Sequence, residues 1–333
     1  MSWDDGPELF RELQDRVRRA GLFQSKERYY LCKIGMTLVL SSAGWTAFVL
    51  VGQSWWQLLV AALLGFGSVQ TALVVHDAGH TQVCRSGRSN RMICQLHANL
   101  LLGVSAAWWV QYHNRHHNHP NDMVRDPSVR RLATIFKRVD SRSSGSSGRI
   151  VVRGEPYLFF PRYAFAALGL RLASVLSLVR RHPRAARRFA IESLLMAIHY
   201  LAYVSVVTWR LDGALLIGFV VAHYALSGLY FGAVVAPNHT GMPMMDTGAT
   251  GWVQRQLLTT RNLRPSPVVD YLFGGLNYQI EHHLFPSMAR PNLRRCRPVV
   301  KEFCRDRGLP YHETGVVTAY VEIVRYLRRV SGA

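Results

Sequence analysis

The stretch LCKIGMTLVLSSAGWTAFVLVGQSWWQLLVAALLGFGSVQTALVVHDAGH, residues 31–80, decides the fold. It contains two apolar segments, Leu31–Val51 and Trp56–Val75, each of about the 20 residues that a helix needs to cross the ~30 Å hydrocarbon layer of a membrane. Because the link between them is short, the two segments are predicted to form a tight helical hairpin. The same pattern recurs at Ala190–Trp209 and Ala214–Val235, which predicts a second hairpin.

The charge distribution predicts which side of the membrane the rest of the chain occupies. Of the 333 residues, 49% are apolar and 18% charged, and 40 Lys and Arg against 20 Asp and Glu give a net charge of +20. Only Arg210 among these basic residues lies in the short links within the hairpins. Because loops rich in Lys and Arg remain in the cytoplasm, we expect both termini and all long loops to be cytoplasmic. The composition disfavours a disordered chain and a highly charged soluble protein.

Two further apolar runs are predicted not to cross the membrane. Leu96–Trp109 is too short to span, which favours a re-entrant or interfacial helix. Tyr163–Val179 is nearer to spanning length, but Arg171 lies at its centre, where a charge costs roughly 2.5 to 3.5 kcal/mol on insertion scales. A fifth span would also place His239 on the opposite side of the membrane from His76. We therefore expect this run to lie on the membrane.

The N-terminal residues 1–30 lack the apolar core of a cleaved signal peptide. Leu9, Leu13 and Val17 form one stripe, which predicts an interfacial helix.

Five cysteines without CxxC spacing exclude a disulfide scaffold and a cysteine-type zinc module.

These observations predict a single all-α integral membrane domain over residues 1–333, with four transmembrane helices in two hairpins. A cytoplasmic helical cap that carries a histidine-rich di-metal site is expected over residues 76–189 and 236–333. Within the cap, residues 140–149 are predicted to be a flexible loop of Ser, Gly and Arg.

Histidines are the main candidates for chemistry, because eight of the 14 fall in short clusters. The spacings i, i+3 and i+4 place side chains on one face of a helix. All the clusters follow a predicted span or lie in a predicted cytoplasmic loop. They are His76-Asp77-Ala78-Gly79-His80, His113-Asn114-Arg115-His116-His117, Asn238-His239 and Gln279-Ile280-Glu281-His282-His283.

The clustered imidazoles indicate a metal site. They exceed the ligands that one metal ion needs, so two ions are the simpler count, and imidazole accepts iron, copper, nickel or zinc. His199 and His223 lie within predicted spans, where a functional role and an interhelical hydrogen bond are equally good interpretations. A structural role is expected for the isolated histidines, which are His97, His119, His182 and His312.

Other classes of metal protein fit these residues less well. A carboxylate-bridged di-iron bundle needs Glu-x-x-His pairs, and no glutamate here has a histidine three residues later. His76 and His80 have the spacing of a zinc protease, but that motif needs Glu as general base where Asp77 stands. A histidine-rich membrane metal-binding or transport protein remains an alternative, although such proteins usually place their ligands at the membrane midplane.

The order HDAGH (76–80), HNRHH (113–117) and NYQIEHHLFP (277–286) around two hydrophobic hairpins resembles the three histidine boxes of the membrane fatty acid desaturase family. The resemblance covers roughly residues 30–310. Gln279, in the place of the first histidine of the third box, is similar to the front-end and sphingolipid-type branch of acyl-lipid desaturases.

Two longer phrases, APNHTGMP (236–243) and GGLNYQIEHHLFPSMARPNLRR (274–295), are similar to bacterial acyl-CoA or acyl-lipid desaturases. The chain departs from many front-end relatives because it has no His-Pro-Gly-Gly segment, so no fused cytochrome b5 domain is expected.

The resemblance implies a non-haem di-iron centre (Fe2+/Fe3+) that uses O2 as co-substrate to insert a double bond into an acyl-lipid or acyl-CoA chain. An acyl hydroxylase or acetylenase of the same family is the alternative. Asn238 or Gln279 would complete the metal shell directly or through water. The implied metal ligands, which are also the catalytic residues, are His76, His80, His113, His116, His117, His239, His282 and His283.

The resemblance also implies the partners and the location. Ferredoxin or another separate electron donor with its reductase would supply electrons, and the fatty acyl substrate would be linked to lipid, CoA or a carrier protein. The partners would include membrane lipids but no nucleic acid, and the protein would lie in a bacterial inner membrane with its active site in the cytoplasm. Four acids are candidates to orient the imidazoles unless they are simply solvated, namely Asp77, Asp122, Asp126 and Glu281.

Overall fold

A computed structural model describes residues 7–129, 154–180, 186–245 and 251–331 of the chain. The described chain is mostly helical. Its elements in chain order are α1 (Pro7–Arg19), α2 (Glu27–Val51), α3 (Gln57–Gly79), α4 (Gly87–Gln95), a π-helix (Leu96–Leu101), α5 (Ala106–Asn118), α6 (Glu155–Leu158), a 3-10 helix (Pro161–Phe165), α7 (Ala166–Arg180), α8 (Ala186–Arg210), α9 (Gly213–His239), α10 (Trp252–Thr259), β1 (Asn262–Leu263), α11 (Pro267–Leu272), α12 (Gln279–Leu284), α13 (Arg290–Asp306), β2 (Glu313–Thr314) and α14 (Val316–Ser331).

The chain divides into two compact units, which are described separately. The first unit comprises Met1–Gln24, Tyr112–Phe159 and Val234–Ala333. The second unit comprises Ser25–Gln111 and Phe160–Ala233. The predicted loop at residues 140–149 lies outside the described residues.

The predicted first hairpin is present in the second unit as α2 and α3. The polar side chain of Gln57 closes the turn, because its amide nitrogen donates to the carbonyl oxygens of Phe48 at 2.7 Å and Gly52 at 2.9 Å. Gly52 has a φ of +66°, a conformation that glycine adopts without strain. Phe48 also packs against Phe219 of α9, with ring centroids 4.8 Å apart, so the two hairpins share one apolar core.

In the part of the chain that the structure describes, five helices are long and apolar enough to cross a membrane, rather than the four predicted. Four of them are the predicted segments, extended by one to several residues at most ends. A bent helix pair, Gly87–Leu101 and Ala106–Asn118, would add a sixth if it crosses as one broken span. The prediction of four spans is therefore not confirmed.

The fifth candidate is Pro161–Arg180, which contains Arg171. The insertion cost of a charge is greatest where the side chain faces lipid. In the structure the Arg171 side chain is buried, donates to the carbonyl of Ala167 at 3.0 Å and lies 4.7 Å from the centroid of the Tyr224 ring. Because a cation over an aromatic face is attracted to it, these contacts offset part of the expected insertion cost.

The short apolar run at Leu96–Trp109 is divided between two helices. Its predicted re-entrant or interfacial placement stays a prediction. A π-helix ends at Leu101, and α5 begins at Ala106 after a turn. Glu192 of α8 satisfies the start of α5, because its carboxylate accepts from the Ser105 hydroxyl at 2.6 Å and the Ala107 N–H at 3.1 Å. This role explains a glutamate inside an apolar helix.

Protein covers most of the apolar stripe of the N-terminal helix, and its placement at the membrane interface stays a prediction. Leu13 and Val17 are buried in the core of the first unit, in one cluster with Val300 and Phe303 of α13. An amphipathic stripe can be covered by protein as well as by lipid, and the sequence pattern of α1 does not distinguish the two.

A small parallel pairing of β1 with β2 joins Asn262 to Glu313 in the first unit. Each strand has two residues, so the predicted all-α class is altered only locally.

Candidate metal centre

The second histidine box lies in the last two turns of α5, within the first unit. His113 and His117 are one helical turn apart, and His116 is rotated from His117 by about 100°. The helix therefore presents adjacent imidazoles in different directions. The third box behaves in the same way, because His282 and His283 are consecutive residues of α12.

His113, His117 and His282 converge to form a cluster that we call the His117 triad. The Nε2 atom of His117 lies 3.0 Å from Nε2 of His113 and 3.2 Å from Nε2 of His282. One ring nitrogen from each residue can be chosen so that all lie within 4.8 Å of one another.

His116, His239 and His283 form a second cluster, the His239 triad. The Nε2 atoms of His116 and His239 are 3.1 Å apart, and the three residues again offer nitrogens within 4.8 Å of one another. The rings of His117 and His283 stack at a centroid distance of 4.1 Å, so the two triads are adjacent. The six histidines therefore form two neighbouring groups of three.

The tautomers of the His239 triad are fixed by acceptors on its outer side. Nδ1 of His239 donates to the carbonyl of Thr259 at 3.0 Å, and Nδ1 of His283 donates to Oε1 of Gln256 at 2.9 Å. The Gln256 amide is oriented by its other end, where Nε2 donates to the carbonyl of His117 at 3.2 Å.

His116 completes the same arrangement, because its Nδ1 donates to Oδ2 of Asp126 at 2.8 Å. With a proton on each outward Nδ1, the neutral rings direct three Nε2 lone pairs toward one another. Lone pairs converging in a buried space repel, and a cation that accepts all three removes that repulsion. The donor set therefore fits a metal ion that favours imidazole ligands.

Asp126 is fixed by backbone donors as well as by His116. Its carboxylate accepts from the N–H groups of Asn121 at 2.9 Å and Ser128 at 2.8 Å. Burial alone would raise the pKa of Asp126, but His116 and the Ser128 N–H lower it, and the net shift is downward. The predicted role of Asp126 in orienting an imidazole is thus present in the structure.

The other three candidate acids behave differently from one another. Asp77 lies 3.1 Å from Nδ1 of His76, whereas the carboxylate of Asp122 accepts from the N–H groups of Val124 and Arg125 in its own turn. Glu281 supports the third box from behind by accepting from Asn262 at 2.7 Å and Tyr311 at 2.8 Å. Burial raises the pKa of Glu281 to about 6, although both hydrogen bonds lower it.

Of the two polar residues predicted to complete the shell, Gln279 contacts the His239 triad and Asn238 contacts Gln279. Nε2 of Gln279 lies 3.0 Å from Nε2 of His239, and Oε1 of Gln279 accepts from the Asn238 amide at 3.1 Å. In this arrangement Gln279 presents its amide nitrogen to the imidazole and its oxygen to Asn238.

The first histidine box lies in the second unit, at the end of α3. His76 and His80 are both buried, with ring centroids 4.9 Å apart. Gly79 of this box allows close packing, because a Cβ atom there would lie 2.7 Å from the Trp109 ring. The structure therefore brings six of the predicted ligands together in the first unit and pairs the other two in the second.

Arg261 is a structural residue of the site that the sequence analysis missed. Its side chain is 1% exposed, and its guanidinium donates to the carbonyls of Pro237 at 2.7 Å and Thr240 at 2.8 Å. These carbonyls flank Asn238 and His239 at the end of α9. Nη1 also donates to Glu322 at 2.6 Å, so one buried cation anchors the segment that carries His239.

Together the long apolar helices and the buried imidazole triads define a membrane protein with a histidine-rich metal centre. The family model described as fatty acid desaturase matches residues 53–315. The chain belongs to the fatty acid desaturase family.

Named relatives agree with this assignment. The chain is 32% identical to Fatty acid desaturase 3 of Bos taurus, across 98% of this chain and 74% of the relative. It is 30% identical to the Delta(6)-fatty-acid desaturase fat-3 of Caenorhabditis elegans, across 97% of this chain and 75% of the relative. It is 28% identical to a Delta(8)-fatty-acid desaturase of Helianthus annuus, across 96% of this chain and 72% of the relative. The chain is accordingly a fatty acyl desaturase, an oxidoreductase of lipid metabolism.

The hydrogen bond from His116 to Asp126 generates a prediction about metal affinity. Asp126→Asn removes the negative charge that fixes the His116 tautomer, and outer partners of this kind change metal affinity by about 10- to 100-fold. We expect a loss of that size when Fe2+ or Co2+ binding is measured by competition with a chelator. Asp15→Asn, on the exposed face of α1, is the control and should bind as the unaltered chain does. Equal affinity in both variants would limit Asp126 to supporting its own turn.

The buried guanidinium of Arg261 generates a prediction about stability. Arg261→Met leaves the buried carbonyls of Pro237 and Thr240 without their donor, and each such loss costs about 1–3 kcal/mol. We expect the free energy of unfolding in mild detergent to fall by about 2 kcal/mol or more, with a lower thermal midpoint. Arg264→Met, at an exposed position nearby, should leave the midpoint almost unchanged. Similar midpoints for both variants would contradict the anchoring role.

Proposed function

We propose that the chain is a non-haem di-iron, dioxygen-dependent desaturase that inserts a double bond into an acyl-lipid or acyl-CoA chain. The observation that carries the proposal is the outward donation of three Nδ1–H groups, to Asp126, Thr259 and Gln256, which directs three imidazole lone pairs inward. The proposed ligands are His76, His80, His113, His116, His117, His239, His282 and His283.

Iron fits the reaction as well as the ligands. Two bound irons would supply the redox chemistry, with O2, by which two hydrogens leave an unactivated acyl chain, whereas zinc has no redox chemistry. The two adjacent triads and the His76–His80 pair supply enough imidazoles for two ions. The fixed tautomers hold the ring nitrogens in their ligating form before any metal binds, which lowers the cost of assembling the centre.

The residues around the triads also exclude bulk water. His282 and His283 are 0% and 1% exposed, and Ile280 and Leu284 of the same short helix are equally buried. A dry site protects the reactive centre from side reactions with water. Asn238 and Gln279 are proposed to complete the shell through water or after rotation of the Gln279 amide.

The electrons are proposed to come from a separate donor, such as ferredoxin with its reductase. The exposed Arg294 and Arg295 of α13 are suitable contacts for an acidic donor, because opposite charge steers association. The predicted basic stretch at residues 180–188 falls largely outside the described residues. Membrane lipids are the other partner that such basic surfaces attract.

The proposed function is tested by expressing the chain in a host and analysing host fatty acids by gas chromatography with mass spectrometry. A new unsaturated fatty acid is expected, and protein purified in mild detergent should hold about two irons per chain. His283→Ala removes one member of the His239 triad and should lower both the product and the iron content.

His312→Ala is the matched control, because this histidine lies outside both triads and pairs with Glu322 at a half-exposed site. Pairs of this kind contribute roughly 0–1 kcal/mol, so product and iron should persist. A hydroxylated product would assign the alternative chemistry. Zinc as the main metal under iron-replete expression, with desaturation retained by His283→Ala, would contradict the di-iron centre.

We further propose that α2, α3, α8 and α9 cross a bacterial inner membrane and that both termini and the histidine boxes lie in the cytoplasm. In this arrangement Pro161–Arg180 packs beside the spans without crossing. The expectation follows from the single basic residue, Arg210, in the short links. A reporter that is active only in the periplasm should be silent when fused to Ala333. Activity of that fusion would mean that an odd number of helices crosses.

A further inference from the structure

The second unit contains a cavity of about 270 Å³, lined by residues near the middle of α2, α3, α7, α8 and α9 and by the end of the π-helix. We call it the Arg171 cavity, after its charged residue. None of the residues that line it is one of the eight proposed iron ligands. Its polar lining includes Ser68, Arg171, His199, Tyr203 and His223.

Part of this polar lining is internally satisfied. The ring of His223 bonds on both sides, with Nδ1 3.0 Å from the Tyr203 hydroxyl and Nε2 3.3 Å from the Ser68 hydroxyl. Ser41, another lining residue, donates to the carbonyl of Thr37 at 2.9 Å. These groups form a stable polar wall and need no ligand.

Arg171 is not satisfied in this way. Its residue is 8% exposed, its Nη1 donates to Ala167, and its buried Nε has no hydrogen-bond partner. Within the described ranges no carboxylate lies within 4.0 Å of the guanidinium. The Tyr224 ring offers only partial compensation for a charge at this depth. A buried cation without a counter-charge is costly unless a ligand supplies the missing acceptor.

His199 supplies the complementary unsatisfied group. Its Nδ1 donates to the carbonyl of Leu100 at 2.9 Å, which leaves Nε2 as an acceptor, and that buried atom has no partner. Gly103 lets the backbone approach this ring closely, because a Cβ atom there would lie only 2.7 Å from Nε2. Gly103 also has a φ of +64°, so both its conformation and the contact favour glycine.

We propose that the Arg171 cavity binds the carboxyl group of an unesterified fatty acid. The acid O–H would donate to Nε2 of His199, and the carbonyl oxygen would accept from Nε–H of Arg171. If the proton moves to Nε2 of His199, the resulting carboxylate faces the guanidinium. This proton transfer is the only chemical change. The first methylenes would contact the apolar lining residues, which include Leu38, Trp45 and Leu64.

A carboxylic acid fits this site better than other anionic groups. It can cross the apolar layer as the neutral acid, whereas a phosphate ester, including phosphatidic acid, keeps at least one negative charge. Chloride lacks a donor. An acyl chain in ester or thioester linkage has no acidic proton either, so the ligand is distinct from the proposed substrate and the proposal does not depend on desaturation.

The test is equilibrium binding of radiolabelled palmitic acid to the full chain in phosphatidylcholine nanodiscs. We expect saturable binding that unlabelled palmitic acid displaces and that methyl palmitate, dioleoyl phosphatidic acid and sodium chloride do not. Arg171→Met should weaken binding by about tenfold or more, because a charge-assisted hydrogen bond is lost. Arg180→Met, at the exposed end of the same helix, should bind as the unaltered chain does.

A second measurement remains informative if Arg171→Met fails to fold. Photolabelling of the unaltered chain with a diazirine fatty acid should modify peptides that contain the lining residues, and excess palmitic acid should prevent it. Equal protection by methyl palmitate would show a hydrocarbon site and overturn the carboxyl assignment. Displacement by phosphatidic acid or chloride would assign another anion, and labelling only outside the lining residues would overturn the site itself.

Discussion

The metal centre depends on hydrogen bonds that point away from it. In the His239 triad, a carboxylate, a backbone carbonyl and a side-chain amide each accept an Nδ1–H, which leaves Nε2 of every ring as a lone-pair donor. Without these acceptors each neutral imidazole could adopt either tautomer, and a ring with its proton on Nε2 could not bind metal through that atom. The outer acceptors therefore determine which ring nitrogens are available to a metal before any metal binds.

Those acceptors are placed by elements that the motifs do not include. Gln256 and Thr259 lie on α10, and Arg261 follows immediately and holds the carbonyls on either side of Asn238 and His239. A short segment after α9 thus fixes the tautomers of His239 and His283 and also the backbone at the end of α9. Arg261 contacts no imidazole, yet it holds the backbone on both sides of His239 through these main-chain carbonyls.

Local spacing predicted the histidine boxes but not how they combine. An i, i+4 pattern placed His113 and His117 on one helix face, and the two side chains do lie together, whereas consecutive histidines diverge by about 100° on a helix and enter different triads. His117 meets His282, and His116 meets His239. Packing between segments far apart in the sequence determines these pairs, and a local sequence pattern holds no information about it. Gln256 and Arg261 belong to none of the histidine motifs, so only the three-dimensional structure reveals their roles. The long apolar segments, by contrast, were recognisable because length and hydropathy are themselves local properties.

Charged residues within the apolar helices show why hydropathy alone did not determine the number of spans. Lys33 donates to Gln70 at 2.6 Å, and Glu192 accepts from Ser105 and Ala107, so both charges are compensated inside the protein. Insertion scales assign a cost to each residue type, yet the actual cost depends on which partner the buried group meets. Arg171 shows the limit of this compensation, since an aromatic face and one carbonyl leave part of its guanidinium unsatisfied. The same burial that makes a fifth crossing possible for its helix therefore also creates a site that favours an acidic ligand.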